Sequence, residues 1–290
     1  MKPVTLTLLF LFIAPCLAQA QIADADVAYA AKEYETALTL YRQARETENR
    51  PQQRQRVMAM IVRTHNALGN ALEAYQEFFA LCRVAPFSEH FDCIPLVWFT
   101  ARPFTPVGVT SDERLALQWL SPSTNPSNVD NPAASLLAAS ILLSSAQAAN
   151  RSKAVEQLEQ LTFLGNATEQ DSAGQVRRQI AMLAQMQLRR LRIAALKEEH
   201  ELTAWESIVE KLPNSLQGGP YYVLGLAYAK LQNDEQAVLC WMRVPILFPE
   251  NRPLAAQSLQ EAAKALRRLK REEEEQTLLD ELRRDYGDLK

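Results

Sequence analysis

Apolar residues recur at three- and four-residue spacing along most of the chain, in long stretches rich in Ala, Leu, Gln, Glu and Arg. Alternating apolar and polar runs, which are typical of strands, are absent. Glycine, which weakens helices, accounts for only 8 of the 290 residues. The pattern therefore predicts an almost entirely helical protein, and internal repetition decides between a closed bundle and an open array of helices.

The clearest repeating unit begins at Tyr221 and contains two predicted helices joined by a short turn. Gly225 and Ala237 are small, which lets the paired helices approach, and three large aromatic residues are expected to fill the groove between them. Pro249 ends the second helix because its nitrogen has no hydrogen to donate. The pattern consists of Tyr221, Leu224, Gly225, Tyr228, Ala237, Trp241 and Pro249.

A second unit can be aligned with the first, with His65 in the place of the tyrosine. Its second helix has a small residue, an aromatic residue and a closing proline, namely Ala74, Phe78 and Pro86. A partial unit around Ala37 and a C-terminal unit around Leu259 follow the same spacing. Two weaker units fill the middle of the chain, one containing Leu137 and Leu158 and the other containing Ile180 and Ile208.

This spacing resembles the tetratricopeptide repeat, in which a large residue, Leu-Gly and Tyr on one helix precede Ala and an aromatic residue on the next, with proline at the end. The resemblance implies an all-α fold, a right-handed α-α superhelix of about five to six helix pairs with a Pro-rich interruption. It also implies a protein that binds partners through the concave face, which the first helices line.

The N-terminus has the features of a bacterial secretory signal peptide. Lys2 precedes an apolar run from Val4 to Ala14, and Ala18-Gln19-Ala20 is a small-x-small cleavage site. We therefore predict a signal peptide over residues 1–20, export to the periplasm or cell envelope, and no membrane span after cleavage. An uncleaved anchor and a lipoprotein modified at Cys16 are alternatives, although Pro15 fits the lipoprotein motif poorly.

The mature chain is predicted to have helix pairs over residues 21–86 and 133–290, separated by a Pro-rich connection over residues 87–132. One short helix is expected within that connection, from Asp112 to Leu120, since Ser111 is a good helix start. Four aromatic residues lie in or beside the connection, and we expect them to pack rather than to remain exposed as a partner site. They are Trp98, Phe99, Phe104 and Trp119.

Charge and motif content argue against several classes of function. The net charge of -3 comes from interspersed acidic and basic residues, so the chain has no field that would attract nucleic acid. The three histidines lack metal-ligand spacing, and there is no Gly-rich phosphate loop or GxSxG motif. No cofactor and no catalytic residue are predicted. An enzyme would have to use His90 and Cys93, for which no orienting group is identifiable.

Three cysteines remain in the mature chain, and a disulfide between Cys82 and Cys93 or simple burial is favoured over a redox or metal site. Two arginine-rich helix faces are candidates for binding an acidic segment of a partner. One face has Arg56, Arg63 and Asn66, and the other has Arg178, Arg189 and Arg192, opposite Val176, Ile180 and Leu183. A solvated helix face is the alternative interpretation of both.

The leading hypothesis is a non-catalytic scaffold of the periplasm or envelope that binds a protein or peptide. A structural accessory that self-associates or joins a large envelope complex is the second hypothesis. The sequence does not identify the partner.

Overall fold

The structure is a computed structural model that describes residues 18–99, 109–120, 131–166 and 170–289. Thirteen α-helices and five short 3-10 segments occur within these ranges, and no strand occurs in them. The helices are α1 (18–30), α2 (Tyr34–Thr47), α3 (Pro51–Ala67), α4 (Ala71–Val84), α5 (Ser111–Leu120), α6 (Pro132–Leu143), α7 (Ala148–Thr162), α8 (Ser172–Arg192), α9 (Thr203–Lys211), α10 (Gly218–Lys230), α11 (Asp234–Leu247), α12 (Arg252–Arg268) and α13 (Glu272–Tyr286).

Four of the connections between helices have the same turn. The middle residue of each turn adopts a left-handed backbone, at Lys32, Gly69, Gln232 and Lys270. The next residue donates its backbone N–H to a carbonyl five positions earlier, as Asn233 does to Tyr228 at 3.0 Å. Because each turn is short and its two helices pack together, the paired helices run antiparallel. The repeat is thus present in the backbone as well as in the side-chain pattern.

The chain forms two compact units, residues 1–95 and 96–290. In the first unit, α1 to α4 pack in chain order around small and large apolar residues. Ala37 and Ala74 are fully buried, which allows the close helix approach that the sequence predicts. His65 is buried at the position where it was expected to face the helix pair, with Nε2 lying 3.2 Å from Arg42 Nη2.

The second unit contains α5 and four successive helix pairs, α6/α7, α8/α9, α10/α11 and α12/α13. The first helices also contact one another in order, α6 with α8, α8 with α10, and α10 with α12. The side of α6, α8 and α10 that carries Ser140, Gln187 and Gly219 is called here the first-helix face. The all-α, helix-pair fold predicted from the sequence is confirmed by this arrangement.

The unit that begins at Tyr221 packs largely as predicted. Trp241 is buried, and its indole N–H donates to the Tyr222 carbonyl at 3.2 Å. A methyl group at Gly225 would overlap that indole, which explains the glycine. Tyr221 departs from the expectation, because it is only partly buried and lies under the guanidinium of Arg243.

The C-terminal pair has one adaptation of the repeat. Glu275 occupies the position of the usual small residue, yet it is buried and accepts a hydrogen bond of 2.8 Å from Arg267 Nε. The exposed arginine thus offsets the negative charge of the buried carboxylate. A polar residue is tolerated at this position because the terminal repeat of a helix array can have a polar outer face.

The predicted signal peptide, residues 1–20, overlaps the described part of α1 at residues 18–20. These residues precede the expected mature N-terminus at Gln21, and Ala18 is buried. The apolar run from Val4 to Ala14, Cys16 and the aromatic Phe104 lie outside the described residues. Among the helices that the structure describes, none combines the length and apolar character needed to cross a membrane.

Candidate functional site

A non-helical segment of the chain lies on the first-helix face of the second unit. The segment is Leu96–Phe99, called here the resident segment, and it belongs to no helix. It contacts side chains or backbone of α6, α8 and α10, the first helices of three successive pairs. Backbone that belongs to no helix therefore lies against the first helices of three successive pairs.

Polar side chains of α6 and α8 bind the main chain of this segment. The Val97 N–H donates to Ser140 Oγ at 2.8 Å. The Val97 carbonyl accepts from Gln187 Nε2 at 3.0 Å and from Arg190 Nη1 at 2.7 Å. Ser144 Oγ donates to the Phe99 carbonyl at 3.2 Å. Because these contacts are to main-chain groups, they would suit an extended segment of many sequences.

Two aromatic side chains of the segment rest on α10. A methyl group at Gly219 would overlap the indole of Trp98, so this glycine lets the indole lie directly on the helix backbone. Phe99 meets the ring of Tyr222 edge to face, with 5.8 Å between the ring centroids. Trp98 and Trp119 are both buried, which confirms for these two residues that the aromatic cluster packs.

Arg190 is the main charged group of the site. It is buried, with 5% of its surface exposed, and desolvation lowers its pKa to about 10, so it remains a cation at neutral pH. Among the described residues, no carboxylate pairs with it. Its Nε and the Oε1 of Gln187 are buried and have no hydrogen-bond partner within the same described ranges. The resident segment therefore makes no hydrogen bond to the Nε–H donor of Arg190 or to the Oε1 acceptor of Gln187.

The predicted arginine face of the first unit has internal partners. Arg56 Nη2 lies 2.6 Å from Asp26 Oδ2, and Arg63 Nη2 lies 2.8 Å from Asp92 Oδ2. The other oxygen of Asp26 accepts a 2.6 Å hydrogen bond from the Tyr41 hydroxyl. Carboxylates of the chain itself thus pair with both guanidinium groups, and partner binding by Arg56 and Arg63 stays a prediction. Asn66 lies on the same helix and is half-buried, and its proposed partner contact stays a prediction.

The predicted arginine face of α8 divides into different environments. Arg189 is partly buried, with its guanidinium carbon 5.6 Å from the centroid of the Trp205 ring. Burial, and then the nearby Arg192, lower the pKa of Arg189. Arg178 is half-buried, whereas Arg192 is exposed. The three arginines therefore differ in exposure, and partner binding by them stays a prediction.

The thiols of the described cysteines are buried and have raised pKa values. Burial raises the pKa of the Cys93 thiol to about 12, so the thiol is protonated at neutral pH. His90 is half-buried, and burial lowers its pKa. Cys82 and Cys93 are free thiols in the structure, and both are buried. The simple burial that the sequence analysis favoured beside a disulfide is thus the observed state, and the disulfide itself stays a prediction.

Three polar side chains that bind Val97 were not predicted from the sequence, namely those of Ser140, Gln187 and Arg190. A signal for two of them existed, because Gln187 and Arg190 continue the spacing of the apolar stripe Val176, Ile180 and Leu183. Polar residues at the end of an apolar stripe must be paired when buried, and the expected partner would have been a polar segment elsewhere in the chain. Within the part of the chain that is described, no cluster of potential metal ligands occurs.

Comparisons with known proteins add little to this geometry. No protein-family model matches the chain, and no curated protein matches it. Among solved structures, the crystal structure of the yeast Tom70 aligns with 93% of this chain and 69% of its own, at 15% identity and a TM-score of 0.33. The fold assignment therefore rests on the helix pairs and turns of the chain itself.

Proposed function

We propose that this protein is a non-catalytic interaction scaffold that binds an extended segment of a partner protein across the first-helix face of its second unit. A fold of helix pairs offers such a face because successive first helices present their side chains on one side. No reaction is part of the proposal.

The proposal rests on the hydrogen bonds between side chains of the first helices and the main chain of the resident segment. Side chains of α6 and α8 bind both the N–H and the carbonyl of Val97 and the carbonyl of Phe99. Main-chain contacts give affinity without fixing the sequence of the bound segment, while pockets for aromatic side chains give selectivity. The face thus has the groups that binding of extended polypeptide requires.

The location is proposed from the N-terminal sequence. The short basic start, the apolar run and Ala18-Gln19-Ala20 support export to the periplasm or cell envelope. Mass spectrometry of the protein purified from a bacterial periplasmic fraction tests this directly. We expect a mature chain that starts at Gln21; a chain that retains Met1, or one lipidated at Cys16, would contradict the assignment.

Binding is tested by cross-linking followed by affinity measurement. A photo-reactive amino acid at Ser144 samples the first-helix face, and one at Leu239, which is exposed on α11, samples a different surface of the same unit. The partner is the protein captured from Ser144 and not from Leu239. Its affinity is then measured with the purified proteins.

The matched variants are Gln187→Leu and Gln175→Leu, two changes of the same kind on α8. Gln187 is buried and contacts the resident segment, whereas Gln175 is exposed. Both variants are combined with Trp98→Ala, which weakens the resident segment, so that loss of its own bond to Gln187 does not cancel the effect on the partner. In that background we expect Gln187→Leu to weaken partner binding about tenfold, because a lost hydrogen bond leaves buried main-chain groups unpaired. Equal affinities of the two variants would overturn the proposed function.

A further inference from the structure

The resident segment has the contacts of a bound ligand rather than those of a structural element. It belongs to no helix, and both polar main-chain groups of Val97 are held by side chains of other elements. Its two aromatic residues fit onto α10, one at Gly219 and one at Tyr222. The chain thus occupies its own binding face.

Covalent attachment gives this occupant an advantage over any partner. A segment tethered by a short connection has an effective concentration in the millimolar range. The affinity of a partner is reduced by the fraction of molecules in which the face is open. A change within the resident segment itself, which leaves the groups of the face intact, should therefore strengthen binding of a partner.

The unused groups of the face indicate which partner could displace the segment. Arg190 is buried as a cation without a carboxylate among the described residues, and its Nε is unpaired there. The resident residues Leu96 to Phe99 carry no acidic side chain. A ligand with a carboxylate near Arg190 would gain a charge-assisted hydrogen bond that the resident segment cannot make.

We propose that the resident segment is an autoinhibitory occupant of the first-helix face, displaced by an extended partner segment that has adjacent aromatic residues followed by an acidic residue. This inference rests on the proposed function, since it assumes that the face binds polypeptide. Beyond that function, it states how the site is regulated and which chemical groups its ligand has.

The test is a binding titration of the full mature chain with a synthetic probe. The probe is a fluorescein-labelled peptide, Lys-Lys-Leu-Val-Trp-Phe-Asp, which copies the resident segment and adds the acidic residue, and it is followed by fluorescence anisotropy. We expect Trp98→Ala to bind it at least tenfold more tightly than the wild type, because no indole of the chain itself then covers Gly219. Phe99→Ala, at a partly exposed position, should act in the same direction and covers the case in which Trp98→Ala fails to fold.

Controls separate this inference from the proposed function. Phe163→Ala removes an exposed aromatic residue of the same unit and should leave the affinity unchanged. A probe ending in Asn instead of Asp should bind at least threefold more weakly, and equal affinity would overturn the acidic preference. If the Trp98 and Phe99 variants bind no more tightly than the wild type while Gln187→Leu still weakens binding, autoinhibition is refuted and the function stands. If no variant binds the probe and Gln187→Leu does not change the affinity for the captured partner, both the proposed function and the autoinhibition are refuted.

Discussion

The indole of Trp98 lies against the backbone of Gly219, at a place that leaves no room for a side chain on α10. The two residues are far apart in the sequence and belong to a non-helical segment and to a helix of the second unit. Their contact is one of the features that place the resident segment on the first-helix face. Its energetic value can be measured separately from any binding.

Gly219→Ala should destabilise the second unit by about 1–3 kcal/mol, the usual cost of forcing extra volume into a packed site. Glycine is itself unfavourable in a helix, so without the indole the same change would be stabilising by up to about 1 kcal/mol. The measurement is the free energy of unfolding in urea.

The double variant Trp98→Ala/Gly219→Ala supplies the control. In the Trp98→Ala background the added methyl group has space, and the alanine should then stabilise the protein. Gly165→Ala, where the methyl group would make only ordinary contact, controls for the substitution itself. Destabilisation of similar size with and without the indole would show that the two residues do not pack as described.

The left-handed turn residues make a second prediction. Gln232→Gly should stabilise the protein by about 1 kcal/mol, because a residue with a side chain is strained at φ 63° and glycine is not. Gly69→Ala should have the opposite effect at the equivalent turn, where φ is 77°. Thermal unfolding of both variants checks the pair, and the same sign of change in both would rule out a shared turn geometry.

These turns also show how far the sequence could predict the fold. Apolar spacing and small residues such as Ala74 and Ala237 were enough to identify the helix pairs, since that packing is local and periodic. The turn residues Lys32, Gln232 and Lys270 were not recognisable, because nothing in a lysine or glutamine signals a positive φ. The backbone places them by satisfying the ends of the first helices.

The candidate site was less predictable for a physical reason. Arg56 and Arg63 were identified as a candidate binding pair because helical spacing reveals which residues share a face. It does not reveal that Asp26 and Asp92, on other elements, lie opposite them. The contact of Arg190 with Val97 likewise joins residues that are distant in the chain, and no local pattern encodes it.

The pairing of Arg63 with Asp92 gives a third prediction. Arg63→Glu should destabilise the first unit by about 1–2 kcal/mol, since it places two carboxylates together in a partly buried site. The exchange Arg63→Glu/Asp92→Arg should restore most of the stability. Urea unfolding of the two variants is the measurement.

Partner capture by the same proteins decides the role of this arginine. We expect the exchanged variant to capture the partner as well as the wild type does, because the pair is internal to the first unit. If stability returns but capture does not, Arg63 itself contacts the partner, as the sequence analysis first suggested.

The buried His65 predicts a dependence on pH. Burial, and then the nearby Arg42, lower the pKa of His65 below its ordinary value of 6.5, so the folded protein takes up this proton less readily than the unfolded chain. Its contribution to stability is therefore complete above pH 6.5 and is lost as the pH falls below that value.

The variant His65→Gln tests this dependence. The free energy of unfolding is compared with that of the wild type at pH 7.5 and pH 5.5. We expect the wild type to lose more stability than the variant on acidification. His90, whose pKa is also lowered, is present in both proteins and therefore cancels in the comparison. Equal losses would mean that His65 does not resist protonation in the fold.

Hydrogen–deuterium exchange of the backbone amides tests the central claim most directly. In the free protein the Val97 amide is bound to Ser140 Oγ and should exchange slowly. When the acidic aromatic probe is added at saturation, we predict faster exchange over residues 94–99, as the resident segment leaves the face, and unchanged or slower exchange in α6 and α8. Unchanged or slower exchange over residues 94–99 with the probe bound would contradict the account.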